Sequence, residues 1–188
     1  SGGKISRPGQ GESVNISGRD FRFHPVTKAF EAIEGRTQFG RHRDDWGNWF
    51  GNNNPNWLWH YWFPEEYLEN NPNFALPTNK RYLGRDDPFV YSIGTALQRF
   101  NDVGHRNHVT SGNSPTPYRD NLFEGDYRQS VFVSEPVHNV IHREVLTRDG
   151  VSFVSQRAAS ERDREFLAST DPWFRPTGMK TGPDGALY

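Results

Sequence analysis

Asp44-Asp45-Trp46-Gly47-Asn48-Trp49-Phe50-Gly51-Asn52-Asn53-Asn54-Pro55-Asn56-Trp57-Leu58-Trp59-His60-Tyr61-Trp62 holds five of the chain's six tryptophans, interleaved with five asparagines and a histidine. Two readings stand side by side. Rings bounding a polar ligand while amides fix its orientation would make the floor of a pocket. Rings closing a β-rich core around a turn would make an aromatic girdle, each buried amide then needing an internal partner. The local pattern within it decides the fold. Asp45-Trp46-Gly47-Asn48-Trp49-Phe50 reads as a tight turn delivering the chain into an innermost strand. The acid, turn glycine and aromatic strand return in Asp184-Gly185-Ala186-Leu187-Tyr188, with a looser copy in Tyr127-Arg128-Gln129-Ser130-Val131-Phe132-Val133.

Outer hairpins flank these copies. Phe21-Arg22-Phe23-His24-Pro25-Val26-Thr27-Lys28-Ala29-Phe30-Glu31 alternates around a proline turn, and Val140–Leu146 is joined to Val151–Val154 through Arg148-Asp149-Gly150. A strand unit repeated with variable insertions predicts an all-β fold, a partial β-propeller whose blades run about 40–50 residues. On that scale the 188 residues make roughly three to four blades of a six-bladed ring. Both ends are expected to be cut from a longer protein, with residues 1–188 forming one fragment of a single propeller domain. Residues 64–128 read as an irregular insertion within it, the sort of stretch that builds or covers a site. Short helices are predicted at Pro64–Glu69, with proline and acids at its first turn, and at Ser160–Asp163, with serine as its cap.

Composition narrows the function. The hydrophobic fraction is 33%, aromatics reach 14%, and Gly (18) and Pro (13) are plentiful; mean hydropathy is −0.89. Short strands joined by many turns, with rings filling the layers, have this composition, whereas disordered chains are poor in aromatics. A formal charge of −1 gives no footprint for nucleic acid. No apolar run reaches membrane-spanning length. Without cysteine there are no disulfides, thiolate metal sites or haem attachment in these residues.

Three constellations could carry chemistry. His138 and His142 have the spacing of a helical zinc pair, but the proline and β-branched residues around them favour a strand, which would separate them by about 13 Å. Shared metal ligation is rejected, leaving a structural or ligand-contacting histidine. Gly104-His105-Arg106-Asn107-His108 precedes Val109-Thr110-Ser111-Gly112-Asn113, where small residues permit close approach of a ligand and a histidine could move protons. The acid pairs Asp44-Asp45, Glu65-Glu66 and Asp86-Asp87 sit beside turns and are expected to cap or pair.

The order of Arg19-Asp20-Phe21-Arg22-Phe23, Gln38-Phe39-Gly40, Asp44–Phe50, Thr110-Ser111-Gly112, Phe132-Val133-Ser134-Glu135-Pro136-Val137-His138-Asn139 and Arg175-Pro176 through Gly182–Tyr188 resembles one family. It is the membrane-bound dehydrogenase domain abundant in planctomycetes, often fused to a c-type haem domain, and it is similar to soluble quinoprotein glucose/sorbosone dehydrogenase propellers. The resemblance implies a six-bladed propeller in an extracytoplasmic (periplasmic or secreted) protein. It implies oxidation of a sugar or related alcohol, with pyrroloquinoline quinone and calcium as cofactors and electrons passed to a haem on a segment outside this chain. The relatives' glycine–x–arginine–asparagine–proline signature is echoed by Gly104-His105-Arg106-Asn107, with His108 in place of proline. The candidate cofactor- or substrate-binding set is Asn52, Asn53, Asn54, His60, Thr110, Ser111, Asn113, Glu135, His138, Asn139 and Arg175, with His138 the candidate catalytic residue. The alternative is a non-catalytic propeller that binds carbohydrate or a protein partner.

Overall fold

The computed structural model describes residues 3–9, 11, 13–71, 73, 78–95 and 107–188. The architecture is all-β, with antiparallel pairing throughout the named sheets. A first four-stranded sheet has the order β5 (His42–Arg43), β6 (Trp49–Asn53), β7 (Asn56–Tyr61) and β8 (Lys80–Leu83). A second runs β9 (Asn113–Pro117), β10 (Ser130–Glu135), β11 (Val140–Asp149) and β12 (Ser152–Arg157), with β13 (Leu167–Ala168) beside the start of β11. Two hairpins precede them, β1 (Lys4–Ser6) with β2 (Ser13–Asn15), and β3 (Asp20–Phe23) with β4 (Phe30–Ile33). The Phe21–Glu31 and Val140–Val154 hairpins thus form as the alternation predicts.

Strand alternation gives each large sheet two working faces. Phe50 and His60 of the first sheet meet Phe153 of the second, and Val131 and Val133 join Phe50, Leu58 and Leu83 in the main core. The alternate residue Phe132 points the other way, into a smaller cluster with Tyr118 and Met179. Tyr61 lies on the far face of the first sheet, where its hydroxyl meets Thr37 and Asp20.

The tryptophan-rich window is a girdle only in part, since Trp46 and Trp49 are exposed. Trp57 and Trp59 are fully buried, and Trp57 Nε1 donates to the carbonyl of Asp87 at 2.9 Å. Some of its asparagine side chains are tied internally, Asn48 to Asp44, Asn56 to Asn53, and Asn52 through Nδ2 to the carbonyl of Trp57. The Asp44–Asn48 turn forms, but it delivers the chain from an edge strand, β5, into an interior one, β6, so the strand it starts is not innermost. Asp184-Gly185 turns a terminal hairpin in which Lys180 and Tyr188 exchange backbone hydrogen bonds. The third copy has no such turn: a 3₁₀ segment, Gly125–Gln129, leads into β10.

Helix α1 (Glu65–Glu69) starts behind Pro64 with Glu65 and Glu66 in its first turn, as the sequence predicts. The second helix is only a 3₁₀ turn, Ala159–Glu161, headed by Ala158 with no side-chain cap; Ser160 lies inside it and cannot cap it. Within residues 64–128, expected to be irregular, β8 closes the first sheet and β9 opens the second. The acid pairs cap and bridge. Asp44 accepts from the Trp46 and Asn48 amides, while Asp45 pairs with Arg119, Glu65 with Arg19, and Asp87 with Arg157.

Candidate functional site

At one end of the two sheets the β6–β7 turn, the approach to β9 and the β10–β11 turn come together. Glu135, the last residue of β10, is fully buried and organises them. Its Oε1 accepts from the backbone amides of Thr110 and Ser111 at 3.3 and 2.7 Å. Its Oε2 accepts from the His138 amide at 2.7 Å and faces His138 Nδ1 at 3.0 Å. The carboxylate therefore holds His138 with its proton on Nδ1 and turns Nε2 away, free of protein hydrogen bonds among the described residues. Arg175 donates from Nη1 to the carbonyl of Pro136 at 2.7 Å, bringing the segment before the terminal hairpin to the same turn. On the other side, the Gly112 amide donates to the carbonyl of Asn54 at 3.0 Å, joining the Asn52–Asn54 end of β6.

Several acceptors at this end lack partners. Asn52 Oδ1, Asn113 Oδ1, Asn139 Oδ1 and Ser134 Oγ are buried without a hydrogen bond among the described residues. Two of the amides are oriented, because Asn52 Nδ2 donates to Trp57 and Asn113 Nδ2 to Ser111 carbonyls. Leaving a buried acceptor unsatisfied costs about 1–3 kcal/mol, so groups of this kind call for a donor. Asn139 adopts φ 58°, a left-handed turn that asparagine tolerates.

The structure thus gathers Asn52, Asn53, Asn54, Thr110, Ser111, Asn113, Glu135, His138, Asn139 and Arg175 at one end. His60 stands apart. It lies toward the opposite end of β7, its Nδ1 2.9 Å from Ser152 Oγ, and burial pushes its pKa down to about 4. His105, with the rest of residues 96–106, lies outside the described residues. His108 forms an isolated bridge with Phe89. Among the described residues no three histidine or acidic side chains gather as a metal set.

Sequence reasoning missed a buried charge network between the sheets. His142 is flanked by Glu165 Oε2 at Nδ1 and Glu144 Oε1 at Nε2, each at 2.9 Å, and stacks on Trp57 with ring centroids 3.8 Å apart. Arg157 extends it to Glu165 and Asp87. It missed also a pocket of about 490 Å³ at the other end of β9, lined by Arg41, His42, Arg43, Trp49, Arg119 and Lys180 among others. His42 donates from Nδ1 toward the Pro115 carbonyl and receives Lys180 Nζ at Nε2, 2.9 Å away; burial, then the neighbouring ammonium, lowers its pKa. The one sequence signal was the alternation Arg41-His42-Arg43 before the turn.

An all-β chain of several antiparallel sheets, with a carboxylate-held histidine among its loops, is the class of protein that fold and site define. The chain belongs to the family described as Domain of unknown function (DUF7133), which matches residues 1–188. No curated protein and no solved structure matches it.

Proposed function

We propose that the chain is part of a dehydrogenase-like β-propeller that takes a sugar or related alcohol at the loop end of its sheets and oxidises it. The observation that carries this reading is the company kept by His138: an imidazole oriented by Glu135 through Nδ1, beside buried amide oxygens that lack donors. A polyol brings hydroxyl donors to such acceptors. His138 Nε2 then takes the proton from the hydroxyl being oxidised, and Glu135 stabilises the imidazolium that results. Support for the propeller comes from two antiparallel sheets in succession, one of four strands and one of five in which β9 to β12 make a four-strand run, packed through one core. The first strand of each and the terminal hairpin lie side by side: His42 touches Thr116 and Lys180.

Pyrroloquinoline quinone, which the family resemblance implies, supplies a two-electron acceptor when bound. Arg175 would hold one of its carboxylates, since a single guanidinium nitrogen is engaged by Pro136 and a planar fork of donors remains. Calcium fits less well. Both oxygens of Glu135, the carboxylate of this cluster, already face N–H groups, so no step is assigned through the ion. The extracytoplasmic location, and onward transfer to a c-type haem domain of the full-length protein, rest on the resemblance alone.

The same saturation of Glu135 favours a second reading, a carbohydrate-binding propeller in which the dyad only shapes the loops. Reconstituting the full-length protein with the quinone and calcium, and following dye reduction across sugars and alcohols, separates the two. Turnover is expected, with His138→Ala lowering kcat about 10²–10⁴-fold at little change in KM. Saturable sugar binding without reduction would favour the binder, and neither result would remove both.

A further inference from the structure

We propose that the pocket enclosed by β5, β9 and the terminal hairpin binds a small organic acid of sugar size, its carboxylate held by Arg43 and Lys180. This site is separate from the loop end. Thr116 and Pro117 line the pocket while Asn113 belongs to the loop cluster, and three strand residues span about 10 Å.

Charge is the first argument. The lining contains Arg41, His42, Arg43, Arg119 and Lys180 and no acidic residue. Two of these cations are neutralised from outside the pocket, Arg41 by Asp20 and Glu34 and Arg119 by Asp45. Arg43 and Lys180 have no carboxylate partner among the described residues. Lys180 spends one N–H on His42 Nε2, which fixes the ammonium at the pocket wall with two donors to spare. Arg43 lies 5.8 Å from the centre of the Trp49 ring, close enough for the ring to steady its guanidinium. A larger cavity of about 580 Å³ beside the β3–β4 hairpin makes the contrast: its Arg19 and Arg22 are matched by Glu65, Glu31 and Glu66, so it carries no unbalanced charge.

Shape selects the ligand. About 490 Å³ is far more than a bare oxyanion fills, and Trp49, Pro117 and Pro183 offer apolar wall to a carbon frame. The Thr181 hydroxyl, which accepts from the Arg119 amide, has its O–H left to donate to a ligand hydroxyl. A carboxylate on a hydroxylated carbon chain uses all of these; a neutral sugar leaves both cations unmatched.

The test is calorimetric titration of the full-length protein with gluconate, glucose and inorganic phosphate. Gluconate should bind at this pocket, and phosphate, like any glucose binding that depends on Arg43 and Lys180, should be at least about tenfold weaker. Arg43→Ala and Lys180→Ala, both at exposed positions, should each weaken gluconate about tenfold. Wild-type affinity should fall as salt rises and screens the pair, a result that needs no variant. Glucose binding as tight as gluconate and weakened equally by Arg43→Ala and Lys180→Ala, indifference of gluconate to salt, or unaffected variants would overturn the proposal; phosphate binding as tightly as gluconate would overturn its carbon frame.

Discussion

His142 occupies a place where an imidazole has no water to turn to, its ring stacked on Trp57 and each nitrogen facing a buried carboxylate. Burial by itself lowers its pKa, but hydrogen bonds and charge from Glu144 and Glu165 outweigh that and hold it above the ordinary 6.5. Burial likewise works to raise Glu165, and His142 and Arg157 together hold it below its ordinary value. The imidazolium therefore stabilises the fold fully below pH 6.5, and that contribution is lost as pH rises through the folded-state value. His142→Ala strands Glu144, leaves Glu165 to Arg157 alone among charged partners, and should cost about 3–5 kcal/mol in urea unfolding near pH 6, with the difference from wild type shrinking as the solution is made alkaline. A cost under about 1 kcal/mol, or one flat with pH, would mean the ring carries no charge. The sequence set His138 and His142 on one strand; the strand at 140–146 is observed and carries His142, but His138 lies in the turn before it. The sequence could not show what His142 does, because Glu165 reaches it across 23 positions and no local pattern marks that pair. His138 was more legible: its orienting carboxylate is only three residues back.

At the scale of the element, turns were read well because their chemistry is local. Gly47, at φ 86°, has open space where a side chain would go, whereas Gly84, at φ 67°, would place a Cβ 2.8 Å from Glu144 Oε1. Gly47→Ala should then cost about 1–2 kcal/mol, the penalty of a left-handed conformation alone. Gly84→Ala should cost at least about 1 kcal/mol more, because the carboxylate it meets is pinned by His142 and cannot swing into water. Equal midpoint shifts for the two variants in thermal unfolding would show that Glu144 yields freely. Hairpins at 21–31 and 140–154 and the helix behind Pro64 were legible for the same local reason, alternation or a capping signal within a few residues. The Ser160 cap failed because a serine caps only when it precedes the turn, and here Ala158 does. Strands β8 and β9 escaped notice because Lys80-Arg81-Tyr82-Leu83 and Asn113-Ser114-Pro115-Thr116-Pro117 are short and polar or proline-rich. Their pairing is dictated by β7 and β10, not by their own composition.

Across the whole molecule the two large sheets meet through Phe50, His60 and Phe153, so a histidine sits inside the packing that joins them. The sequence placed His60 on a strand after the asparagine turn, which is correct, but gave it to the ligand end. Six residues of alternation fix a face and leave open which end of the sheet the ligand uses. Buried between Phe50 and Phe153, with Nδ1 on Ser152, His60 is kept neutral, its pKa down at about 4 against an ordinary 6.5. The unfolded chain therefore binds a proton there that the folded chain refuses. Stability from this group is whole above pH 6.5 and is lost as acid is added toward pH 4. At about 1.4 kcal/mol per tenfold in proton affinity, the loss by pH 4.5 is about 2–3 kcal/mol. His42, whose pKa burial and Lys180 also lower, titrates in the same interval, whereas the His142 contribution is already complete below 6.5 and Glu165 begins to lose its own only below its ordinary 4.5; the share of His60 is therefore the difference between wild type and a variant. His60→Gln, which keeps a polar group for Ser152, removes the titration. Urea midpoints across that interval should fall for both proteins as His42 titrates, and fall further for wild type, by the His60 share. Parallel profiles for the two would mean that His60 takes up its proton in the folded state and that the seam between the sheets admits water.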